Sequence, residues 1–240
     1  IFSLFDLIFF SPILIIVIII IWFQDFKFPF YIASRVGKNE KLFKMVKLRS
    51  MIFDADKSGV DSTASNDQRI TFIGNFIRKF KLDEITQLFN VFVGEMSFVG
   101  PRPNVKKETD LYTKEEKILL TIKPGITDFS SIVFSDEGDI LSNYKDPDIA
   151  YNQIIRPWKS RLGIFYVIKK NFFLDSILII ITVLSIFSRK NALKCINYIL
   201  KILNSDKKLI KVSTRDKKIE SYPPPGSSSI VTNRDGVVHD

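Results

Sequence analysis

The apolar residues of this chain fall in two blocks. Residues 1–23, IFSLFDLIFFSPILIIVIIIIWF, carry a single charge, Asp6, and residues 176–187, SILIIITVLSIF, carry none. The first block is long enough for a transmembrane helix, because about 20 apolar residues span the hydrocarbon core. No basic leading region or small-residue cleavage site marks it as a secretory signal. Ser11-Pro12 interrupts it near the middle. Proline removes a backbone donor and crowds the preceding turn, which predicts a kink, and the Ser11 hydroxyl can satisfy a freed backbone group. Two readings stay open: a kinked helix that crosses the bilayer, the commoner use of such a stretch, or a helix-break-helix hairpin that enters and leaves by one face. Asp6 is costly in lipid under either, and Trp22 and Phe23 suit an interface. The second block is short for a span and reads as a buried or membrane-resting helix.

Between the blocks the period changes. FPFYIASRVGKN ends in a turn signal, and KLFKMVKLRSMI alternates apolar and basic residues. That predicts a strand with Lys44, Lys47 and Arg49 on its polar side. DADKSGVDSTASNDQRIT reads as surface loop, and the spacing of Asp54, Asp56, Asp61 and Asp67 matches no calcium-loop pattern. A helix around Ile73–Phe80 carries Arg78 and Lys79. A second starts near Leu82, with Ile85, Leu88, Phe89 and Phe92 at helical spacing. Asp83 and Glu84 fall in its first turn, where the helix dipole commonly places carboxylates. By pattern alone, Arg102 between Pro101 and Pro103 is a surface turn. Residues 104–121 predict a charged helix, KPGIT a turn into a strand, and residues 188–211 a basic amphipathic segment suited to an anionic membrane surface. SYPPPGSSSIVTNRDGVVHD predicts disorder.

Charge and rare residues narrow the chemistry. The 240 residues carry a net +9, which predicts a polyanionic partner. The apolar N-terminal block favours an anionic membrane face or phosphorylated substrates over nucleic acid. Cys195 is the single cysteine, so no intrachain disulfide forms. His239, beside the C-terminus, is the single histidine. Ser-His and Cys-His nucleophile pairs and histidine metal sites therefore have no internal histidine to use. Catalysis would rest on carboxylates, Lys, Arg, Tyr or an oxygen-ligated metal. The first residue is Ile rather than Met, so further residues upstream are expected in the natural protein.

A longer set of matches, in order, then carries a resemblance: SPILI, RVGKNEKLFKMVKLRSM, DADKSG followed by NDQRIT, the gap-free IGNFIRKFKLDEITQLFNVFVGEMSFVGPRP, KPGIT and FFLDSILIIITVL. Together these resemble the bacterial sugar transferases, the small monotopic phosphoglycosyl transferases that start glycan assembly on polyprenyl phosphate. The resemblance implies a helix-rich α/β (α+β) fold. It implies a re-entrant helix at 1–23 broken at Ser11-Pro12, a cytoplasmic catalytic domain at 24–190 with amphipathic helices on the membrane, and an amphipathic segment with a disordered tail at 191–240. Asp83 would be the nucleophile on the β-phosphorus of a UDP-sugar. UMP would be released, and undecaprenyl phosphate would then displace the enzyme-bound phosphosugar. Arg78, Arg102 and Lys47 match the family's functional basic positions. Glu84 would hold Mg2+ or assist proton transfer, and Asp175 matches a further acidic position. The implied partners are a UDP-sugar, undecaprenyl phosphate and the cytoplasmic face of the bacterial inner membrane, with a homodimer admitted and no nucleic acid. The competing readings are a non-catalytic membrane-anchored adaptor and a classical glycosyltransferase that releases UDP. Three departures from the common pattern stand out: Lys81 where many members have Ser or Thr, Thr86 where many have Pro, and ITDFSSI in place of ITGWAQV. The last is read as a difference in sugar recognition.

Overall fold

The computed structural model describes residues 2–58 and 62–233. Asp61 and His239, singled out in the sequence, lie outside them. The first block forms one helix, α1 (Phe2–Asp25), with Pro12 inside it. A proline at 12 leaves the carbonyl of Ile8 without its usual backbone donor. The Ser11 hydroxyl takes that place, donating to Ile8 O at 2.7 Å. Leu14, Val17 and Ile21 form a buried stripe at helical spacing that packs with Leu48 and Ile77. Phe5, Ile8, Phe9, Ile16 and Phe23 stay exposed. Phe26 turns the chain out of the helix in the left-handed region (φ 55°).

Strands β1 (Phe30–Val36) and β2 (Leu42–Leu48) form an antiparallel hairpin running from Phe30↔Leu48 to Val36↔Leu42. The strand expected at KLFKMVKL is therefore present, but its polar face is not as expected. Side chains alternate with period two, so Lys44 and Lys47, three residues apart, point to opposite sides. Arg49 is buried and bonded to Asp25 at 2.6 and 2.7 Å, which joins the end of α1 to the end of the hairpin.

The helix expected around Ile73–Phe80 is α2 (Phe72–Lys79), but the second, expected to run from Leu82 through Phe92, is divided into α3 (Leu82–Ile85) and α4 (Leu88–Phe92). The short strand β3 (Ser97–Val99) then pairs in parallel with β4 (Gly125–Thr127), in register Ser97↔Gly125 and Val99↔Thr127. The connection between them is not the single charged helix expected over 104–121. It is a short helix α5 (Lys106–Thr109) and a separate 3-10 segment, Glu116–Thr121. The break is a capping box: the Glu116 amide donates to Thr113 Oγ1, and the Thr113 amide donates to Glu116 Oε2, both at 3.1 Å. Glu116 is fully buried, with Arg156 at 2.7 Å and the Ser160 hydroxyl at 2.7 Å.

The remaining chain is helical: α6 (Phe129–Val133), α7 (Glu137–Leu141) and α8 (Pro147–Ala150), then a π-turn over Tyr151–Ile155, α9 (Arg156–Lys169), α10 (Phe172–Phe187), α11 (Arg189–Ile202) and α12 (Lys207–Thr214). One core gathers Phe129, Ile132, Ile155, Leu162, Leu178 and Ile196, each essentially without exposure. The second apolar block, α10, buries Leu174, Leu178 and Ile181 but exposes Phe172, Phe173, Ile180 and Phe187. The basic segment after it does not keep its apolar stripe for a bilayer. Ala192, Leu193, Ile196 and Leu200 of α11, with Leu209 of α12, sit in the same core as α9 and α10. The tail expected to be disordered is held against the domain over its described part, with Arg161 of α9 donating to Pro223 O and Gln153 of the π-turn donating to Val231 O; residues 234–240 lie outside the described residues. Tyr222 stacks on Trp158 with ring centroids 4.7 Å apart, and the Tyr222 amide donates to Gln153 O.

Candidate active site

Three pieces of the chain converge on Asp83 and Glu84: the end of β2, the start of α3 and the turn that leaves β3. Lys81 enters α3 with left-handed backbone (φ 54°, ψ 27°) and no side-chain cap. The side-chain cap that Ser or Thr could supply is therefore absent, as expected from Lys81 at this position. Adjacent residues on a helix point about 100° apart, so one cation reaches both carboxylates only from between them. Lys47 of β2 does so. Its Nζ lies 3.7 Å from Asp83 Oδ2 and 3.8 Å from Glu84 Oε1. Arg102 Nη1 donates to Glu84 Oε1 at 2.7 Å. Arg78 Nε donates to Ser50 Oγ at 3.0 Å, and its guanidinium interacts electrostatically with Asp83. Four side chains matched through the resemblance, Asp83, Glu84, Lys47 and Arg102, thus form one cluster with Arg78 at its edge.

Asp175 stands apart from the pair. It accepts from Tyr166 Oη at 2.7 Å, and that hydroxyl also lies 3.3 Å from Val99 O. It therefore braces the strand that leads to Arg102. Two further residues hold these elements in place: Asn90, which the sequence did not single out, and Thr86, noted there only as a departure. Asn90 donates to Lys44 O at 2.7 Å and accepts from the Val46 amide at 3.1 Å, which clamps β2 to α4. The Thr86 hydroxyl lies 3.1 Å from Val46 O and 3.2 Å from Asp83 O, holding the first turn of α3 against β2. The signal for Asn90 was a lone amide inside the apolar run LFNVF. Its partner, a strand edge more than 40 residues away, leaves no local trace.

Arg102 is placed by two glycines and two prolines. The Gly100 amide donates to Thr127 O, and the Gly125 amide donates to Pro101 O at 3.0 Å. The two glycines are so close that a Cβ on Gly125 would lie 2.1 Å from the Gly100 nitrogen. Pro101 and Pro103 fix φ on either side.

The electrostatics divide the two carboxylates. Burial pushes Asp83 above the usual carboxylate range, and neighbouring Glu84 adds to that push against the pull of Lys47. Burial acts on Glu84 in the same direction, but Arg102 and Lys47 more than offset it and hold the group at about 2. Burial, with Arg102, brings Lys47 down to about 8. Glu84 is therefore a locked anion, and Asp83 is the more basic, less tightly partnered carboxylate. Among the described residues no group of three or more acidic, histidine or cysteine side chains could hold a metal. A magnesium ion here fits only if substrate phosphates supply most of its shell, as is usual for that ion. Glu84 Oε1 is already engaged by Arg102.

Two small spaces adjoin Arg102 and share Pro101, Asn104, Tyr112 and Leu119 as walls. One extends to Val36, Gly37, Leu120 and Ile122, the other to Asp128, Ser130, Tyr151 and Lys159.

Comparison with known proteins places this site in context. Residues 1–189 match a family described as bacterial sugar transferase. The chain is 28% identical over 165 residues to a UDP-N-acetylgalactosamine-undecaprenyl-phosphate N-acetylgalactosaminephosphotransferase of Aeromonas hydrophila, covering 67% of this chain and 39% of that protein. It is 41% identical over 112 residues to the undecaprenyl-phosphate galactose phosphotransferase of Salmonella typhimurium, covering 40% and 24%. It is 35% identical over 136 residues to the exopolysaccharide production protein ExoY of Rhizobium meliloti, covering 50% and 60%. In each case the match spans less than two thirds of the relative's length.

Proposed function

The chain belongs to the bacterial sugar transferase family, and from that premise we propose that it moves a phosphosugar from a UDP-sugar to undecaprenyl phosphate at the start of surface-glycan assembly. The supporting observation is the division of labour between the two carboxylates. Asp83 is raised and loosely partnered, while Glu84 is bound to Arg102.

In this reading an Asp83 oxygen attacks the β-phosphorus, and the bond from that phosphorus to the bridging oxygen breaks. UMP leaves with the bridging oxygen, and the phosphosugar stays on Asp83 as an acyl phosphate. A phosphate oxygen of undecaprenyl phosphate then attacks the same phosphorus, which frees the carboxylate and yields the undecaprenyl diphosphate sugar. A carboxylate nucleophile splits one difficult transfer into two steps. Lys47, Arg78 and Arg102 supply preorganised positive charge for the phosphoryl oxygens in each. When bound, a magnesium ion would neutralise further phosphate charge, held by Glu84 together with donor phosphate oxygens. Asp175 acts through Tyr166, keeping β3 and the Arg102 turn in place.

The acceptor is a lipid, so its phosphate must be met at a bilayer surface. α1 is long and apolar enough to reach into one. We assign it the re-entrant course, with both ends on the cytoplasmic face of the inner membrane; α1 runs unbroken from Phe2 to Asp25 rather than being broken at Ser11-Pro12, and what supports the reading is that the Ser11 hydroxyl satisfies the Ile8 carbonyl that a bend at Pro12 would free. A tag at residue 1 is then accessible only from the cytoplasm; access from the far side alone would establish a spanning helix.

Purified protein with a panel of UDP-sugars, magnesium and undecaprenyl phosphate is expected to release UMP, and a tryptic peptide containing Asp83 to gain the mass of a phosphosugar. Release of UDP would favour a classical glycosyltransferase, and no release with any donor an adaptor. Undiminished UMP release by Asp83→Asn would remove Asp83 from the nucleophile's role.

A further inference from the structure

We propose that Lys81 receives the phosphate of the lipid acceptor, which enters the site from the side of α3 that packs on α1. This rests on the phosphosugar-transfer reading above and gives that reaction a further substrate-binding residue.

Lys81 is a non-glycine residue at positive φ (54°), a region that glycine enters at little cost and lysine seldom adopts. Its side chain is partly buried, yet it makes no hydrogen bond or ion pair among the described residues. Lys47 and Arg102, by contrast, are both engaged with carboxylates. Lys81 nevertheless belongs to the field of the same site. Burial works against the Glu84 anion, and Arg102, Lys47 and Lys81, in that order, offset it. Consecutive Cα atoms are 3.8 Å apart, so those of Lys81 and Asp83 are separated by no more than about 7.6 Å. A flexible four-carbon stem can bring the ammonium to a phosphate that faces Asp83.

The flanks of Lys81 say which phosphate. Leu82 and Ile85 of α3, with Ile77 of α2, pack on α1, the helix long and apolar enough to enter a bilayer. On the other side Phe76 and Phe80 are exposed, with ring centroids 4.8 Å apart. An ammonium without a counter-ion therefore sits between Phe80, open to the surroundings, and Leu82, packed on the membrane helix. A soluble anion has no use for apolar surface on both sides. An isoprenoid phosphate does: its chain follows the apolar surface, and its terminal monoester carries about two negative charges. In the second transfer one acceptor phosphate oxygen bonds the phosphorus held on Asp83, and the bond from that phosphorus to the Asp83 oxygen breaks. Lys81 offsets the repulsion between the two phosphoryl groups as they meet.

The test uses the full chain in detergent micelles, with equilibrium binding of undecaprenyl phosphate, undecaprenol, phosphatidylglycerol and UDP. Lys81→Gly relieves the positive φ and Lys81→Met keeps the stem, so a loss shared by both is a loss of charge and not of fold. Both are expected to weaken undecaprenyl phosphate about tenfold or more, the worth of a charge-assisted hydrogen bond, and Lys81→Arg to restore it to within about threefold. Undecaprenol, phosphatidylglycerol and UDP are expected to change by less than about threefold. In a two-step transfer kcat/KM for each substrate reports its own half-reaction. That for the acceptor is expected to fall with its affinity in Lys81→Gly, and that for the donor to stay within about threefold. Unchanged undecaprenyl phosphate affinity in both neutral variants would overturn the proposal. So would a parallel loss of UDP affinity, which places Lys81 with the donor, or an equal loss for phosphatidylglycerol, which makes it a general contact to anionic lipid. If lipid binding behaves as expected but wild-type protein releases no UMP with any donor, the transfer reading fails and the lipid-phosphate assignment stands.

Discussion

Lys47 offers the most searching test of the charge arrangement. Its ammonium lies 3.7 Å from Asp83 Oδ2 and 3.8 Å from Glu84 Oε1. At that distance, with an effective dielectric constant of about 20, the attraction to Asp83 is on the order of 4 kcal/mol, the equivalent of about three pKa units. Arg78 and Arg102 remain when Lys47 is removed, so the shift actually released is smaller. Lys47→Met is expected to move the acid limb of the rate profile, set by ionisation of Asp83, upward by between about one and three pH units. Wild-type activity should fall again above about pH 8, where Lys47 loses its proton. Lys47→Arg keeps the charge and cannot lose it in this range. It should leave the acid limb in place and abolish the alkaline fall. The assay is kcat/KM for the donor in UMP release against pH, which reports the groups of the free enzyme. An acid limb that does not move in Lys47→Met, or an alkaline limb near pH 8 that survives in Lys47→Arg, would refute the reasoning. The same lysine has the opposite sign for folding. Its folded pKa lies below its ordinary 10.5, so between about pH 8 and 10.5 the unfolded chain binds more protons and this group's contribution to stability rises with pH.

Other regions give independent outcomes. Glu116→Gln leaves buried Arg156 without its counter-charge and is expected to cost about 3–5 kcal/mol in denaturant unfolding; a loss below about 1 kcal/mol would contradict the buried pairing at 2.7 Å. Gly125→Ala forces β3 and β4 apart where a Cβ would lie 2.1 Å from the Gly100 nitrogen. It should lower kcat/KM for UMP release about a hundredfold or more by displacing Arg102, because misplacement on the order of 1 Å costs that much; near-wild-type kinetics would count against this placement. Asn90→Ala removes both clamps on β2 and is expected to cost about 2–3 kcal/mol of stability by thermal melting.

Much of the site was readable one residue at a time, but not as an assembly. The helical spacing of Ile85, Leu88 and Phe89 located the segment that carries Asp83 and Glu84. By itself the acidic pair reads as ordinary dipole chemistry; only the longer match sets it apart. Arg102 reads as a surface turn because its partner, Glu84, lies 18 residues away and is reached only through a parallel strand pair, a contact with no local period. The capping box in TKEE was legible in principle, and it is what divides residues 104–121. The stripe of α11 carried a true amphipathic pattern, yet such a pattern does not name the apolar partner: protein core and bilayer satisfy it equally. In the strand, alternation found β2 but grouped Lys44 with Lys47, although a spacing of three cannot share one face.

The join between α1 and the hairpin bears on the proposed meeting with a lipid acceptor. Only residues 26–29 separate α1 from β1. Across that short gap Asp25 is bonded to Arg49, two residues beyond Lys47, while Leu14, Val17 and Ile21 pack on Leu48 and Ile77. α1 and β2 are therefore tied together as one piece. On the proposed reading, the height of Asp83 above the bilayer follows how deeply α1 is seated. A change of a few ångströms in that depth would raise or lower Asp83 relative to the lipid phosphate by a similar amount.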